Sequence, residues 1–426
     1  MYKQVALPPA CFTRKFNDDL GEEAEFSRRL TGSLTRQRVW LVNAGFNGTG
    51  TMSVFKFLQR VSITALLALA PFAGMGARAE VVPIGVNIVN PGRLSEQRQS
   101  ELLDQLVAAG VTTIRVPLAS NAQRRGAVRF IEAAATRNLH ILLIVDLEFP
   151  PDAPMRPADP RYPHLWSGHP LSAADAALFK ESFGAQLAAF EAKGIRFAGF
   201  ELGNEINWAA FNGEFPIPGE QKILSFDDLA DDPEGRKIAA GFRNYVETLK
   251  ALRELRDASQ LNRQTPIITA GLASPGPAGP RPGSPADAVA IPDAFAYLQK
   301  LGVDRIADAI GVHAYTPVKP GMKPEDFAAA LRKGPLSICG PKVHCWVTEW
   351  GLNNADTQCP VDDSGRAQEM TIARQGYNRL MATHAVTGLY YFAWNTSPWS
   401  KAIDPLSLYR CGRLTESGPI AISVNH

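Results

Sequence analysis

Eight short, apolar, β-branched runs alternate along this chain with seven longer amphipathic stretches, and that alternation limits the fold more than any other feature. The runs are Ile84–Val89, Thr112–Pro117, Ile141–Leu147, Phe197–Glu205, Pro266–Ala270, Ala309–Tyr315, Val343–Glu349 and Leu389–Trp394. Helical patterns fall between them at Glu96–Ala109, Ala127–Arg137, Ala173–Lys193, Gly235–Ala258, Asp293–Lys300, Glu325–Arg332 and Arg366–His384. A strand that must cross over through a helix before the next strand pairs in parallel with it.

A parallel sheet covered by helices on both faces closes most economically on itself, because closure removes its two unpaired edges. The fold class expected is therefore α/β, a single (β/α)8 TIM barrel of eight parallel strands with its active face at the strand C-termini. The competing arrangement, an open doubly wound sheet, calls for a glycine-rich phosphate turn after the first strand, and Asn87-Ile-Val-Asn-Pro-Gly92 is not one. The length of 426 residues would allow two or three domains, but nothing of domain size follows the eighth run.

The N-terminal 79 residues read differently. Residues 1–51 show no apolar periodicity and are expected to be an extension from a start codon chosen too far upstream. Met52 opens a stretch with Lys56 and Arg60 ahead of the apolar run Val61–Gly76, which ends on Ala77-Arg78-Ala79, the small-x-small pattern of signal-peptidase cleavage. The expectation is a signal peptide over 52–79, a folded domain over 80–426, and a secreted or periplasmic protein with no stable membrane insertion once the signal is cut. The apolar run contains Pro71 and is shorter than the roughly 20 residues of a spanning helix.

With Cys11 set aside, Cys339, Cys345, Cys359 and Cys411 remain, an even number suited to an oxidising compartment. Three pairings are open; Cys339–Cys345 with Cys359–Cys411 would staple loops around the last two strands. Residues 1–79 hold 10 of the 44 Lys and Arg and 5 of the 42 Asp and Glu, leaving 34 against 37 beyond. So balanced a domain lacks the basic field that holds phosphate backbones, which excludes nucleic acid as the expected partner. A monomer is expected.

In a barrel the loops leaving the strand C-termini build the active face, here Phe149–Leu171, Trp208–Glu234 and Ala273–Pro292. The Pro/Gly-rich piece Ser274–Pro285 reads as a loop rather than a binding element. The fourth run ends Gly203-Asn204-Glu205 and the seventh Thr348-Glu349-Trp350, so two glutamates reach one rim from strands three steps apart. Cleavage of a glycosidic bond needs two such groups, one acid to protonate the departing oxygen and one carboxylate to attack the anomeric carbon. The acid keeps its proton in the less polar setting; the hydrogen-bonded partner stays ionised.

These motifs resemble those of clan A retaining glycoside hydrolases, closest to glycoside hydrolase families 5 and 39, over about 310 residues from Val82 to Trp394. The resemblance implies Glu205 as general acid/base, Glu349 as nucleophile, Asn204 on the sugar 2-hydroxyl and Arg115 beside the nucleophile. It also implies His313 and Tyr315 around the nucleophile and sugar, and Trp394 as the floor under the cleaved sugar. It implies an oligo- or polysaccharide substrate and no cofactor. Arg115 also has a structural reading, an ion pair with Glu201 or Asp146. One departure stands out: the third run ends Val145-Asp-Leu-Glu-Phe149, where family 5 commonly has a histidine.

Glu201 shares strand parity with Glu205 two residue pairs deeper and reads as a structural carboxylate. Trp166, Trp208, Trp350 and Trp399 lie on active-face loops and are candidates for stacking sugars. His164 and His169 share a loop without a metal-ligand pattern, and no metal is expected. The function expected is an exported retaining glycoside hydrolase on β-linked glycans. The alternatives are a transglycosylase on the same scaffold and a barrel that binds glycans without cleaving them. A phosphate-handling barrel would need an anion loop near the last strands, for which Trp350-Gly-Leu-Asn-Asn354 is a poor candidate.

Overall fold

The computed structural model describes residues 82–119, 123–162, 165–274, 286–356, 358–395 and 404–423. The expected extension, signal peptide and Cys11 lie outside the described residues, as do His164, Trp399 and nearly all of the Pro/Gly-rich loop. None of the described helices is long and apolar enough to cross a membrane.

The eight runs form eight parallel strands: β1 Ile84–Asn87, β2 Thr113–Leu118, β3 His140–Val145, β4 Gly199–Asn204, β5 Ile267–Gly271, β6 Ile310–His313, β7 Cys345–Trp350 and β8 Val386–Tyr391. Their order is β5-β4-β3-β2-β1-β8-β7-β6, and parallel bridges Ile268–Ala309 and Leu272–Val312 join β5 to β6 and close the ring. The helices follow in turn: α1 Glu96–Ala108, α2 Arg124–Thr136, α3 Ala176–Ala192, α4 Pro233–Ala258, α5 Ile291–Lys300, α6 Pro324–Lys333 and α7 Ser364–Met381. An eighth, short α8, Ser417–Ile422, packs on α7 and completes the set. This is the (β/α)8 barrel expected from the alternation.

Local chemistry sets several helix starts. The Ser95 hydroxyl accepts from Arg98 N at 3.3 Å to open α1, and Asp175 accepts from Ala177 N and Leu178 N to open α3. Asp232 accepts from Glu234 N and Gly235 N to open α4, with Pro233 in the first turn where no amide donor is needed.

Two apolar clusters divide the core. The larger fills the layer between strands and helices; the smaller, Leu142, Ile268, Ala309, Trp346 and Tyr390, plugs the barrel interior. Trp346 and Tyr390 stack at 5.8 Å, and Gly388 leaves the space the indole takes, since a Cβ there would meet it at 2.5 Å. This plug is the floor on which the polar layer rests.

The cysteines pair as Cys339–Cys345 and Cys359–Cys411. The first sits at the entry to β7. The second ties the segment after β7 to the short hairpin Tyr409–Arg410 and Arg413–Leu414 beyond β8.

Candidate active site

Directly above the apolar floor lies a buried charged layer centred on Arg115 of β2. Its guanidinium donates from Nε to Glu201 Oε2 (2.6 Å), from Nη2 to Glu201 Oε1 (3.0 Å) and Asn204 Oδ1 (2.9 Å), and from Nη1 to Asn87 Oδ1 (2.6 Å) and Glu349 Oε1 (2.7 Å). Arg115 and Glu201 are both buried. Burial works against the cation, but the charges of Glu201 and Glu349 outweigh it and hold the guanidinium above its ordinary range. Arg115 thus fills both parts weighed for it: it pairs structurally with Glu201, not with Asp146, and it touches Glu349.

At the rim above Arg115 and Glu201, β4 and β7 deliver the two glutamates. Glu205 follows β4 with a positive φ of 43°, a conformation side chains disfavour, and its N–H donates to Gly271 O at 3.0 Å. Glu349 is placed by a register shift. On β6 and β7, Val312 pairs with Val347 but His313 pairs with Glu349, so Thr348 is the extra residue of a β-bulge. Without it His313 would face Thr348; with it, imidazole and carboxylate share one level.

The glutamates have different partners. Glu349 receives Arg115 Nη1 on Oε1 and the Tyr315 hydroxyl on Oε2 at 2.7 Å. Glu205 receives His313 Nδ1 on Oε1 at 2.7 Å and the Trp208 indole N–H on Oε2 at 2.6 Å. His313 Nδ1 also lies 3.4 Å from Glu349 Oε2, so the imidazole bridges the pair. Burial opposes its protonation, yet the charge of Glu349 and the bond to Glu205 win, and its pKa is raised. His313 Nε2 is buried with no partner against Gly271, where a Cβ would meet it at 2.1 Å; facing carboxylates, Nδ1 is the nitrogen that donates. Tyr315 has an exposed ring, while enclosure of its hydroxyl and then the charge of Glu349 raise its pKa well above the usual value.

A carboxylate oxygen from each glutamate and a nitrogen of His313 lie within 4.8 Å of one another, a set that could in principle ligate a metal. The chemistry disfavours it. All four carboxylate oxygens already accept protein hydrogen bonds, and Arg115 supplies beside Glu349 the positive charge an ion would bring.

Asn204, Glu205, Arg115, His313, Tyr315 and Glu349 therefore meet at one place. Trp394 does not lie open there: it is 1% exposed and stacks on Tyr409 at 5.2 Å, because the segment after β8 folds over it. Trp350 is likewise buried, between Tyr377 and Tyr391. Trp208 serves as a hydrogen-bond donor to Glu205 rather than as an open face, while Trp166 remains exposed. His169 stacks on Phe149 and its Nδ1 meets Pro154 O, so it stays away from the glutamates. The indole bond of Trp208 was not visible in the sequence; the only signal was its position three residues beyond Glu205, one turn of chain.

No protein-family model matches the chain, and no curated protein matches it. Solved structures similar to it include the catalytic domain of the major endoglucanase from Xanthomonas campestris pv. campestris, at 14% identity over 81% of this chain and 94% of that one, TM-score 0.45. A GH39 β-xylosidase from Caulobacter crescentus is similar at 14% identity over 81% and 70%, TM-score 0.45. A family 5 xyloglucanase from Paenibacillus pabuli is similar at 12% identity over 80% and 98%, TM-score 0.43. The likenesses are loose, and the chemistry of this chain is read from its own side chains.

Proposed function

We propose that the protein is an exported, retaining glycoside hydrolase that cleaves β-linked oligo- or polysaccharides. The observation that carries the reading is the unequal environment of two carboxyls brought to one level. Glu349 faces the permanent cation of Arg115 and a phenol hydroxyl, whereas Glu205 faces a neutral indole N–H and the imidazole of His313, which can exchange its proton. Glu349 then attacks the anomeric carbon while Glu205 gives its proton to the departing oxygen. In the second step Glu205 takes a proton from the water that releases the sugar.

Retaining enzymes hold their carboxyl groups about 5–5.5 Å apart and inverting enzymes about 6.5–9.5 Å; here one oxygen of Glu205 and one of Glu349 lie within 4.8 Å of each other, an approach in keeping with the shorter separation. Asn204 accepts from Arg115 through Oδ1, which leaves its amide N–H groups to meet the sugar 2-hydroxyl. Export is supported by the signal pattern over 52–79 and by the two disulfides.

The test is turnover of β-glycosides by Glu349 variants. Glu349→Gln should fold normally and lose several orders of magnitude in kcat, and azide should restore turnover to Glu349→Ala. Undiminished hydrolysis by Glu349→Gln refutes the assignment.

A further inference from the structure

The loops that leave β3 and β4 are knitted into one unit. Arg156 donates from Nη1 to the carbonyls of Asn212 (2.9 Å) and Phe215 (2.7 Å), and from Nη2 to those of Trp166 (2.8 Å) and Ala209 (2.6 Å). Backbone bonds between Arg156 and Gly168, and from Gly213 N to His169 O at 3.1 Å, close the same seam. A loop pinned by so many main-chain contacts holds its side chains in place before any ligand arrives.

On this seam Trp166 is 39% exposed, against Phe211 in an edge-to-face contact with centroids 4.9 Å apart. Phe211 in turn lies 6.3 Å from Trp208, whose N–H is on Glu205. Among the described residues, the large aromatic side chains left exposed are Trp166 and Tyr315, and Tyr315 is the partner of Glu349. Each exposed ring is thus linked to one of the two glutamates. The edge-to-face contact with Phe211 sets the orientation of the indole and leaves part of its surface open, at the end of a ring series that starts at the acid.

Resting on the glycosidase reading above, we propose that Trp166, backed by Phe211, is a stacking platform for a pyranose on the leaving-group side of the scissile bond. The direction follows from the chemistry. The general acid must touch the bridging oxygen, which departs with the leaving group, whereas the nucleophile acts on the sugar that is retained. The ring series links Glu205 to residues of the loops that leave β4 and β3, whereas Glu349 stands on β7. A flat indole suits the C–H face of a pyranose, and its quadrupole adds to the burial. The platform lies two ring contacts beyond the acid, so it rewards leaving groups longer than one sugar, as internal cleavage of a chain supplies.

The test compares a β-linked oligosaccharide of four or more units with the 4-nitrophenyl β-glycoside of the same sugar. Trp166→Ala should lower the ratio of kcat/KM on the oligosaccharide to kcat/KM on the aryl glycoside about tenfold. Trp166→Leu, which fills the seam without a π face, should give the same shift, and Trp166→Tyr should restore most of the ratio. Hydrolysis with an unchanged ratio overturns the platform and leaves the glycosidase reading standing. Calorimetric binding of the oligosaccharide to Glu349→Gln should weaken about tenfold when Trp166→Ala is added, and equal affinity overturns the platform. Binding that depends on Trp166, in a wild type that cleaves neither substrate, keeps the platform and sinks the glycosidase reading.

Discussion

Replacing Arg115 with Met keeps most of the side-chain volume and removes the charge on which the buried layer depends. Glu201 would be left fully buried, with Gly271 N at 3.1 Å as its remaining donor and the two guanidinium bonds gone. Breaking one partner out of a buried pair costs about 3–5 kcal/mol, because the other charge stays in low dielectric without compensation. Denaturant unfolding at pH 7 should therefore show Arg115→Met less stable by about that amount.

The double variant Arg115→Met/Glu201→Gln buries no lone charge and should recover most of the loss, with a coupling energy of about 2 kcal/mol or more. Turnover should not recover in the double variant, because Glu349 still lacks its guanidinium. A cost below about 1 kcal/mol for Arg115→Met, or a double variant no more stable than the single, would refute the reasoning. With its pKa raised above that of an ordinary arginine, Arg115 keeps its charge at any working pH, so the effect should not fade under alkaline conditions.

Three further outcomes are expected. Trp208→Phe removes the N–H on Glu205 Oε2 and should slow substrates with poor leaving groups about tenfold more than those with good ones, read as a steeper dependence of kcat/KM on leaving-group acidity; an equal loss on both contradicts it. The folded-state pKa of His313 lies above its ordinary 6.5, so its contribution to stability is full below about pH 6.5 and is lost as pH rises through the folded value. Unfolding free energies of wild type and His313→Asn should accordingly converge as pH is raised across that range, and a constant gap would disprove the coupling. Finally, Cys359–Cys411 closes a segment of 52 residues and Cys339–Cys345 one of 6, so chain entropy predicts a loss of about 4 kcal/mol on removing the first and about 2 kcal/mol on removing the second. Equal losses in denaturant unfolding would count against that account.

The barrel was legible because strands buried on both faces announce themselves as continuous apolar runs, and because each must be followed by a crossover. Glu205 and Glu349 were legible because both stand where runs end. What remained hidden depends on geometry that no residue spacing carries. The bulge at Thr348 decides that Glu349 sits beside His313, and a run of Val-Thr-Glu-Trp gives no sign of it. The sequence leaves Arg115 to serve the nucleophile or a structural carboxylate, Glu201 or Asp146, whereas a guanidinium with five donors serves both Glu349 and Glu201. Trp350 ends its strand and Trp394 its apolar run as open rim residues would, but packing against Tyr377 and Tyr391 for the one and Tyr409 for the other buries them. The short sheet between Ile223–Leu224 and Ala288–Val289 links two loops through strands of two residues each, too brief for any periodicity.

The most direct test of the central claim is covalent trapping. A 2-deoxy-2-fluoro β-glycoside with a reactive leaving group, built on whichever sugar the enzyme turns over, slows release of the glycosyl-enzyme enough for peptide mapping by mass spectrometry. The account predicts a single added sugar on the peptide that carries Glu349, and none on Glu349→Gln. A label on the peptide that carries Glu201 or Glu205, or steady hydrolysis with inversion of the anomeric centre, would contradict it.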